Sequence, residues 1–409
     1  WGGIPQAFDE NNEKWSKEYA QLKELLAPEE YESAKGSVLN AHYTSPLVID
    51  AMYEAIQNNG FQGGRILEPA AGIGNFLGKM PEEIRQKSRV DAVELDSISG
   101  RITQQLYQSA KVHITGFEKT DFKDNAFDLA IGNIPFGGYS LHEKKYDKNH
   151  FLIHDHFFAK SLDKVKSGGI VAFITSKGTL DKHNPDVRKY LAERAELVGA
   201  IRLPNNAFKA NAGTEVTTDI VFLQKRENPI ELTPETTPDW VHLGQTKDGL
   251  PINQYFADNP QMVLGQIVQG NKLYGRGEDD TMCIPFENAD LKQLLHGAIS
   301  QIHFQTRKFQ EIQPEMQEQK RIEIPLGTKN FSYAIVEDKL YFRNGEEMQL
   351  FEGNASDADR IRNMIAIRDC LHELISMQLE NASDEDVQAQ QKKLNTLYDD
   401  FTKKYGLIN

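Results

Sequence analysis

Cysteine is scarce: only Cys283 and Cys370 occur in 409 residues. Two thiols cannot build a disulfide framework or a thiolate metal cage, so both are expected as buried thiols. Long apolar runs are missing as well. No stretch approaches the roughly 18 consecutive apolar residues of a membrane-spanning helix, which excludes a helical membrane protein. The opening segment, WGGIPQAFDENNEKW, has no basic stretch followed by an apolar run and is therefore no secretory signal. On these grounds the chain is expected in the cytoplasm. An initiator methionine is also lacking and the final FTKKYGLIN has no terminal character, so the chain reads as a fragment of a longer polypeptide.

Acid is abundant but unevenly spread. The net charge is −14, a value that looks wrong for a nucleic-acid binder until it is divided. Residues 1–226 hold 28 Lys+Arg against 30 Asp+Glu, whereas 227–409 hold 18 against 30. Within the first part, 101–226 carries 19 basic against 14 acidic residues. The acid lies at the C-terminal end and the middle is mildly basic. A solvated surface gives the same bias, so this alone does not argue for DNA.

From about 64 to 226, short β-rich runs alternate with helical ones, the signature of a parallel α/β sheet. The expected strands are 65–69, 90–95, 111–115, 127–132, 169–175, 197–203 and 218–224. Ahead of them PLVIDAMYEAI (46–56) reads as an amphipathic helix with Pro46 in its first turn. The stretch HDHFFAKSLDKVKSGG is expected to be a helix stopped by Gly168–Gly169. After 226 the texture changes: 228–240 reads as a polar linker or domain edge and 301–325 as a partly disordered arm rich in Gln and charge. A small antiparallel sheet is expected over 331–351, followed by two amphipathic helices capped at Ser356 and Ser383. The expected domains are a helical extension (1–38), an α/β domain (39–226), a linker and accessory region (227–325), and a small sheet with a helical hairpin (326–409).

The chemistry concentrates at strand ends. Ile66-Leu67-Glu68-Pro69-Ala70-Ala71-Gly72-Ile73-Gly74-Asn75-Phe76 is a strand running into a tight, small-residue turn at a helix start, where a ligand can approach backbone N–H groups. A carboxylate at the strand end, Glu68, repels a pyrophosphate and attracts an ammonium. Glu94 and Leu95 close the next strand, and an acid there can accept ribose hydroxyl protons. Asp121-Phe122 follows the third strand; a carboxylate accepts from an exocyclic amine and an aromatic neighbour stacks on a purine. Three acids at three successive strand ends point to a nucleoside attached to an amino acid, S-adenosylmethionine. At the end of the fourth strand stands Asn133-Ile134-Pro135-Phe136. A flipped base with an exocyclic amine needs two acceptors and a stacking face, which the Asn133 side chain, the Ile134 carbonyl and Phe136 provide.

In this order the motifs resemble those of N6-adenine DNA methyltransferases of the Asn-Pro-Pro-(Tyr/Phe) type. The resemblance covers about 35–226 and is especially close to the methylase portion of large methylase–helicase, antirestriction-like proteins of conjugative elements and phages. It implies a Rossmann-like class I S-adenosylmethionine-dependent methyltransferase fold, DNA as partner, and a helicase-like region downstream of 355–409. It also implies that His42, Tyr43, Thr44 and Pro46 close over the methionine end of the cofactor. By the same resemblance, Glu68, Pro69, Ala70, Gly72, Gly74 and Phe76 form the cofactor loop, Glu94 and Leu95 the ribose site, and Asp121 and Phe122 the adenine contacts. Ile134 departs from the pattern, replacing the usual first proline; it lacks proline's fixed φ and has a free N–H. Methylation of RNA adenine or of a protein glutamine shares this motif logic, and a cofactor-binding or DNA-docking module without strong catalysis is the non-enzymatic alternative. His150, His154 and His156 with Asp155 invite a metal reading, but on a helix 156 leaves the face shared by the other two, and no metal is expected. The loop 138–150 interleaves Lys144, Lys145 and Lys148 with Tyr139 and Tyr146, a pattern that serves phosphate contact or a plain solvated loop equally.

Overall fold

The computed structural model describes residues 4–38, 44–208, 216–270, 281–306, 324–325, 328–329, 332–344, 347–351, 353–380 and 382–407. It divides into two units, Trp1–Ile312 and Gln313–Asn409. Among the described residues, no helix is long and apolar enough to cross a membrane.

The first unit is built on seven strands: β1 Arg65–Glu68, β2 Arg89–Glu94, β3 Lys111–Ile114, β4 Phe127–Asn133, β5 Val165–Ser176, β6 Ala195–Leu203 and β7 Thr218–Lys225. Their order in the sheet is β3-β2-β1-β4-β5-β7-β6. Strands β1 to β5 pair in parallel, and β7 runs antiparallel to both β5 and β6. Ile170–Ile174 and Ile220–Leu223 are buried without alternation, as expected of central strands covered on both faces. The parallel α/β sheet that the strand–helix alternation predicts holds for β1 to β5, and the architecture is the Rossmann-like one that the resemblance implies. Strand β7 departs from the all-parallel expectation, because it enters between β5 and β6 in the opposite direction. Helices α1 Ser16–Leu25, α2 Pro28–Ser37, α3 Pro46–Asn58, α4 Asn75–Lys79, α5 Glu82–Gln86, α6 Ser97–Leu106 and α7 Ile153–Lys164 precede or connect the strands.

Two local expectations change. Helix α7 stops at Lys164, and Val165 already pairs with Phe127 as the first residue of β5. Gly168, at φ +74°, serves an irregularity inside the strand, where the register jumps between Phe127 and Leu129; a glycine suits that bulge. Helix α3 buries Val48, Ile49, Ala51, Met52, Tyr53, Ala55 and Ile56, more than one amphipathic stripe. Its outer side is covered by later residues: Asn59 Nδ2 donates to the Ile302 carbonyl at 3.0 Å, and Leu295, Ile299 and Ile302 join the same core.

The segment 228–240 ends packed rather than free, with Trp240 and Val241 buried in the core. A buried ionic knot lies at this edge of the sheet. Arg202, 0% exposed, donates to both carboxylate oxygens of Asp219 at 2.8 and 2.9 Å and to Asp181 at 2.6 Å. The other Asp181 oxygen accepts the Asn253 N–H at 3.0 Å, which ties the accessory region to the sheet.

The second unit contains an antiparallel meander, Tyr333–Val336, Lys339–Asn344 and Glu347–Leu350. Helices Ala355–Leu379 and Asp384–Tyr405 follow. Ser383 caps the second helix as expected. The first is capped by Asn354, whose side chain accepts the Asp357 N–H at 2.9 Å, and not by Ser356, which lies inside the helix. Between the helices Gln390 Nε2 donates to the Cys370 carbonyl at 3.3 Å; both cysteines are buried and free. Of the expected arm 301–325, residues 307–323 lie outside the described residues.

Candidate active site

Strands β1 and β4 are neighbours, yet β1 leads on toward β2 and β4 toward β5, in opposite directions across the sheet. Beyond the carboxyl ends of such strands an α/β sheet opens a crevice. Here it holds a cavity of about 480 Å³, within the roughly 300–1,000 Å³ of small-molecule sites. Its walls come from the ends of β1, β2 and β4, the segment after β3, helix α2 and the start of α7.

Glu68 ends β1 beside Ala92 of β2 and is only 2% exposed. Its Oε2 has no hydrogen-bond partner among the described residues. Burial, and next the charge of Glu94, push its carboxyl well above the usual range. The following turn is built for close approach. Gly72 has φ +55°, and a Cβ there would stand in open space. Its N–H donates to Glu94 Oε2 at 2.7 Å and its carbonyl accepts from Thr103 Oγ1 at 2.8 Å. Glu94 Oε1 accepts the Asp96 N–H at 2.8 Å. Burial lifts the Glu94 carboxyl above its ordinary range, against the pull of the Asp96 and Gly72 N–H bonds.

Asn133 ends β4, opposite Ile174 of β5, and lines the cavity together with Pro135. Ile134 does not: its side chain is 1% exposed, in the core, and its N–H donates to the Ile174 carbonyl at 3.2 Å. The departure from proline therefore supplies one more bond holding the motif to the sheet.

Of the other expected site residues, Thr44, Pro69, Ala70, Phe76 and Leu95 line the cavity. His42 and Tyr43 lie outside the described residues. Pro46 starts α3 and does not line the cavity. Gly74 does not line it either; it is a close-approach position, where a Cβ would sit 2.3 Å from the Tyr107 ring. Asp121 is exposed and Phe122 packs against His113 and Phe127, so neither reaches the cavity. That wall is made instead by Gly116, Phe117 and Glu118, because the chain turns inward in a 3-10 turn over Phe117–Lys119 immediately after β3. Phe136 is half-buried and outside the lining.

Sequence reasoning missed Phe117 and Glu118, although Glu118 is the first acid after β3 and Asp121 the second. It also missed Glu32, Ser33 and Gly36 of α2, which line the cavity from the N-terminal extension. Ser33 Oγ donates to Asp96 Oδ1 at 3.0 Å, a contact across 63 residues that no local pattern announces. Of the histidines, His156 Nε2 lies 2.8 Å from Glu143 Oε2, burial drives His154 down to about 4, and His150 is exposed.

Residues 13–208 match the Eco57I restriction-modification methylase family. The chain is also 32% identical over 218 residues to the "Defense against restriction protein B" of Escherichia phage P1. That match covers 52% of this chain and 9% of the phage protein, so the chain spans a small part of that relative. Among solved structures it is similar to the type I restriction-modification system methyltransferase subunit from Streptococcus thermophilus, at 18% identity and a TM-score of 0.39 over 45% of this chain and 44% of that one. TrmN from Thermus thermophilus is similar at 17% identity and a TM-score of 0.33, over 44% and 48%. The fold rests on the strand order and the family match, not on these overlays: it is that of a class I S-adenosylmethionine-dependent methyltransferase. The cavity suits the cofactor this implies. A buried carboxyl oxygen without a partner among the described residues, at Glu68, is what an amino-acid ammonium would complete, and the open face of Gly72 leaves room beside it.

Proposed function

We propose that this methyltransferase region transfers a methyl group from S-adenosylmethionine to the N6 amine of an adenine flipped out of DNA. The observation that carries the reading is that Asn133 and Pro135 line the same cavity as Glu68 and Glu94. In this reading Glu68 receives the cofactor ammonium, Glu94 the ribose hydroxyls, and Phe117 with Glu118 the adenine, in the place assigned above to Phe122 and Asp121. The cofactor supplies the methyl group as an electrophile on sulfur. Asn133 Oδ1 accepts one N6 hydrogen and the Ile134 carbonyl the other. Two such bonds favour sp³ character at nitrogen and aim its lone pair at the methyl carbon; as the N–C bond forms the S–C bond would break to leave a neutral thioether, and one N6 proton would pass to solvent. The Ile134 N–H bond to Ile174 supports catalysis over a purely docking role, since it fixes the Asn133–Ile134 peptide, the one before the accepting carbonyl, to β5. DNA as partner, and a helicase-like region elsewhere in the polypeptide, belong to the same proposal.

Tritiated-methyl transfer to duplex DNA, with RNA and protein controls, tests it. Asn133→Ala should slow transfer by ~10²-fold or more, because a preorganised polar contact is worth ~2.7–4 kcal/mol and each 1.36 kcal/mol is tenfold. Cofactor affinity should stay within about twofold, or ~0.4 kcal/mol. DNA-adenine methylation at the wild-type rate in Asn133→Ala would overturn the mechanism. Transfer to RNA or protein alone would redirect the substrate, and cofactor binding without any transfer would leave a docking module.

A further inference from the structure

A buried lysine outside the cavity links its two walls. Lys160, on α7, is 1% exposed. Its Nζ donates to the Thr120 carbonyl at 3.0 Å and to both carboxylate oxygens of Glu143 at 3.1 Å. It also lies over the Phe117 ring, 5.0 Å from the centroid. Phe117 and Phe157, whose rings are 5.0 Å apart, both line the cavity. Glu143 belongs to the 136–150 loop, which begins at the end of the Asn133–Phe136 motif and brings Tyr139 and Leu141 into the lining. His156, one turn before Lys160, grips the same carboxylate. The loop is folded around this anchor, with the Glu143 carbonyl accepting from the Tyr146 and Asp147 N–H groups at 2.8 and 3.0 Å.

We propose that Lys160 is a positioning residue that couples the two walls, fixing Phe117 and Thr120 on the cofactor side and, through Glu143, the 136–150 loop on the substrate side. The two sides are named by the cofactor reading above, on which this rests. Three donor bonds on one ammonium at 1% exposure use all its protons, so neither wall can shift without breaking a charge-assisted bond at a buried ammonium. Filling the cavity therefore orders the loop that follows the catalytic motif before any DNA arrives.

Hydrogen exchange on the full chain, with and without saturating S-adenosylhomocysteine, reads this without requiring turnover. In the unmodified protein the ligand should slow exchange in both 115–122 and 136–150, by about tenfold or more, equivalent to ~1.4 kcal/mol. Glu143→Gln should keep the protection of 115–122 and lose that of 136–150. Lys160→Met alone leaves Glu143 short of a partner and lowers the melting temperature; Lys160→Met with Glu143→Leu removes both charges and should restore stability. In that pair the loop should still not respond to ligand, whereas a strut of purely structural value would recover its response along with its melting temperature. Ligand-induced protection of 136–150 that survives in Glu143→Gln overturns the coupling and leaves the cofactor reading standing. An unmodified protein that binds no S-adenosylhomocysteine overturns that reading and the coupling with it.

Discussion

At the scale of single residues, the cavity is governed by carboxyl groups held in unequal surroundings. Glu68 is raised by burial and then by Glu94, so in the empty site it keeps its proton above the ordinary glutamate range. Meeting a cationic ammonium requires that proton to leave. Cofactor affinity is therefore expected to rise with pH until the raised Glu68 value is passed, and to fall as pH drops below it. Calorimetry in buffers of different ionisation enthalpy measures the effect: proton release on binding at pH below the raised Glu68 value is the expected result, and its disappearance in Glu68→Gln assigns it. Binding without proton exchange in the unmodified protein would contradict the assignment. A second comparison separates two acids seven or fewer residues beyond one strand. Glu118→Ala should weaken the cofactor by about 1.5–3 kcal/mol if it accepts a charge-assisted bond from the adenine amine. Asp121→Ala, exposed and outside the cavity, should change affinity by less than about twofold, or ~0.4 kcal/mol. The reverse ranking in titration calorimetry would restore Asp121 to the site.

At the scale of elements, the sheet was legible because each strand carries a short apolar run set off from the helical stretches, and all seven appear within a few residues of expectation. The ends were less legible. The stop of α7 at Lys164 comes from β5 pairing that begins at Val165, a tertiary contact that outranks the glycines downstream. The helix cap at Asn354 in place of Ser356 has a local cause, two equally suitable polar side chains two residues apart. The Arg202–Asp219–Asp181 knot makes a prediction of its own. Arg202→Met leaves two carboxylates of a dry site without their cation, and should cost about 3–5 kcal/mol in urea unfolding. Removing the Asp219 charge as well should recover part of that loss. A fully stable Arg202→Met would mean that water reaches the knot.

At the scale of the molecule, every described residue that lines the cavity lies in the unit Trp1–Ile312, and its core takes in Trp240, Phe256, Leu295 and Ile302. A chain cut after Ile312 is therefore expected to bind S-adenosylhomocysteine within about twofold of the full chain, a difference of ~0.4 kcal/mol. A chain cut after Arg226 should lose cofactor binding with its fold, since it strips the cover from α3 and the Asn253 end of the knot. Circular dichroism and calorimetry on the two truncations distinguish these outcomes; a stable, cofactor-binding 1–226 fragment would refute the second.

The strand alternation, the small-residue turn after Glu68, and the Asn133-Ile134-Pro135-Phe136 motif at a strand end are all specified by neighbouring residues and follow local sterics. Long-range packing puts Phe117 and Glu118, rather than Asp121 and Phe122, on the cavity wall. It alone brought Ser33 of the N-terminal extension onto Asp96, bonded the Ile134 N–H to Ile174, and set Lys160 between Thr120 and Glu143. Those contacts join residues 17 to 63 positions apart. Their partners are chosen by which strand ends and helix faces meet when the sheet closes, and that choice leaves no periodicity in the chain to read.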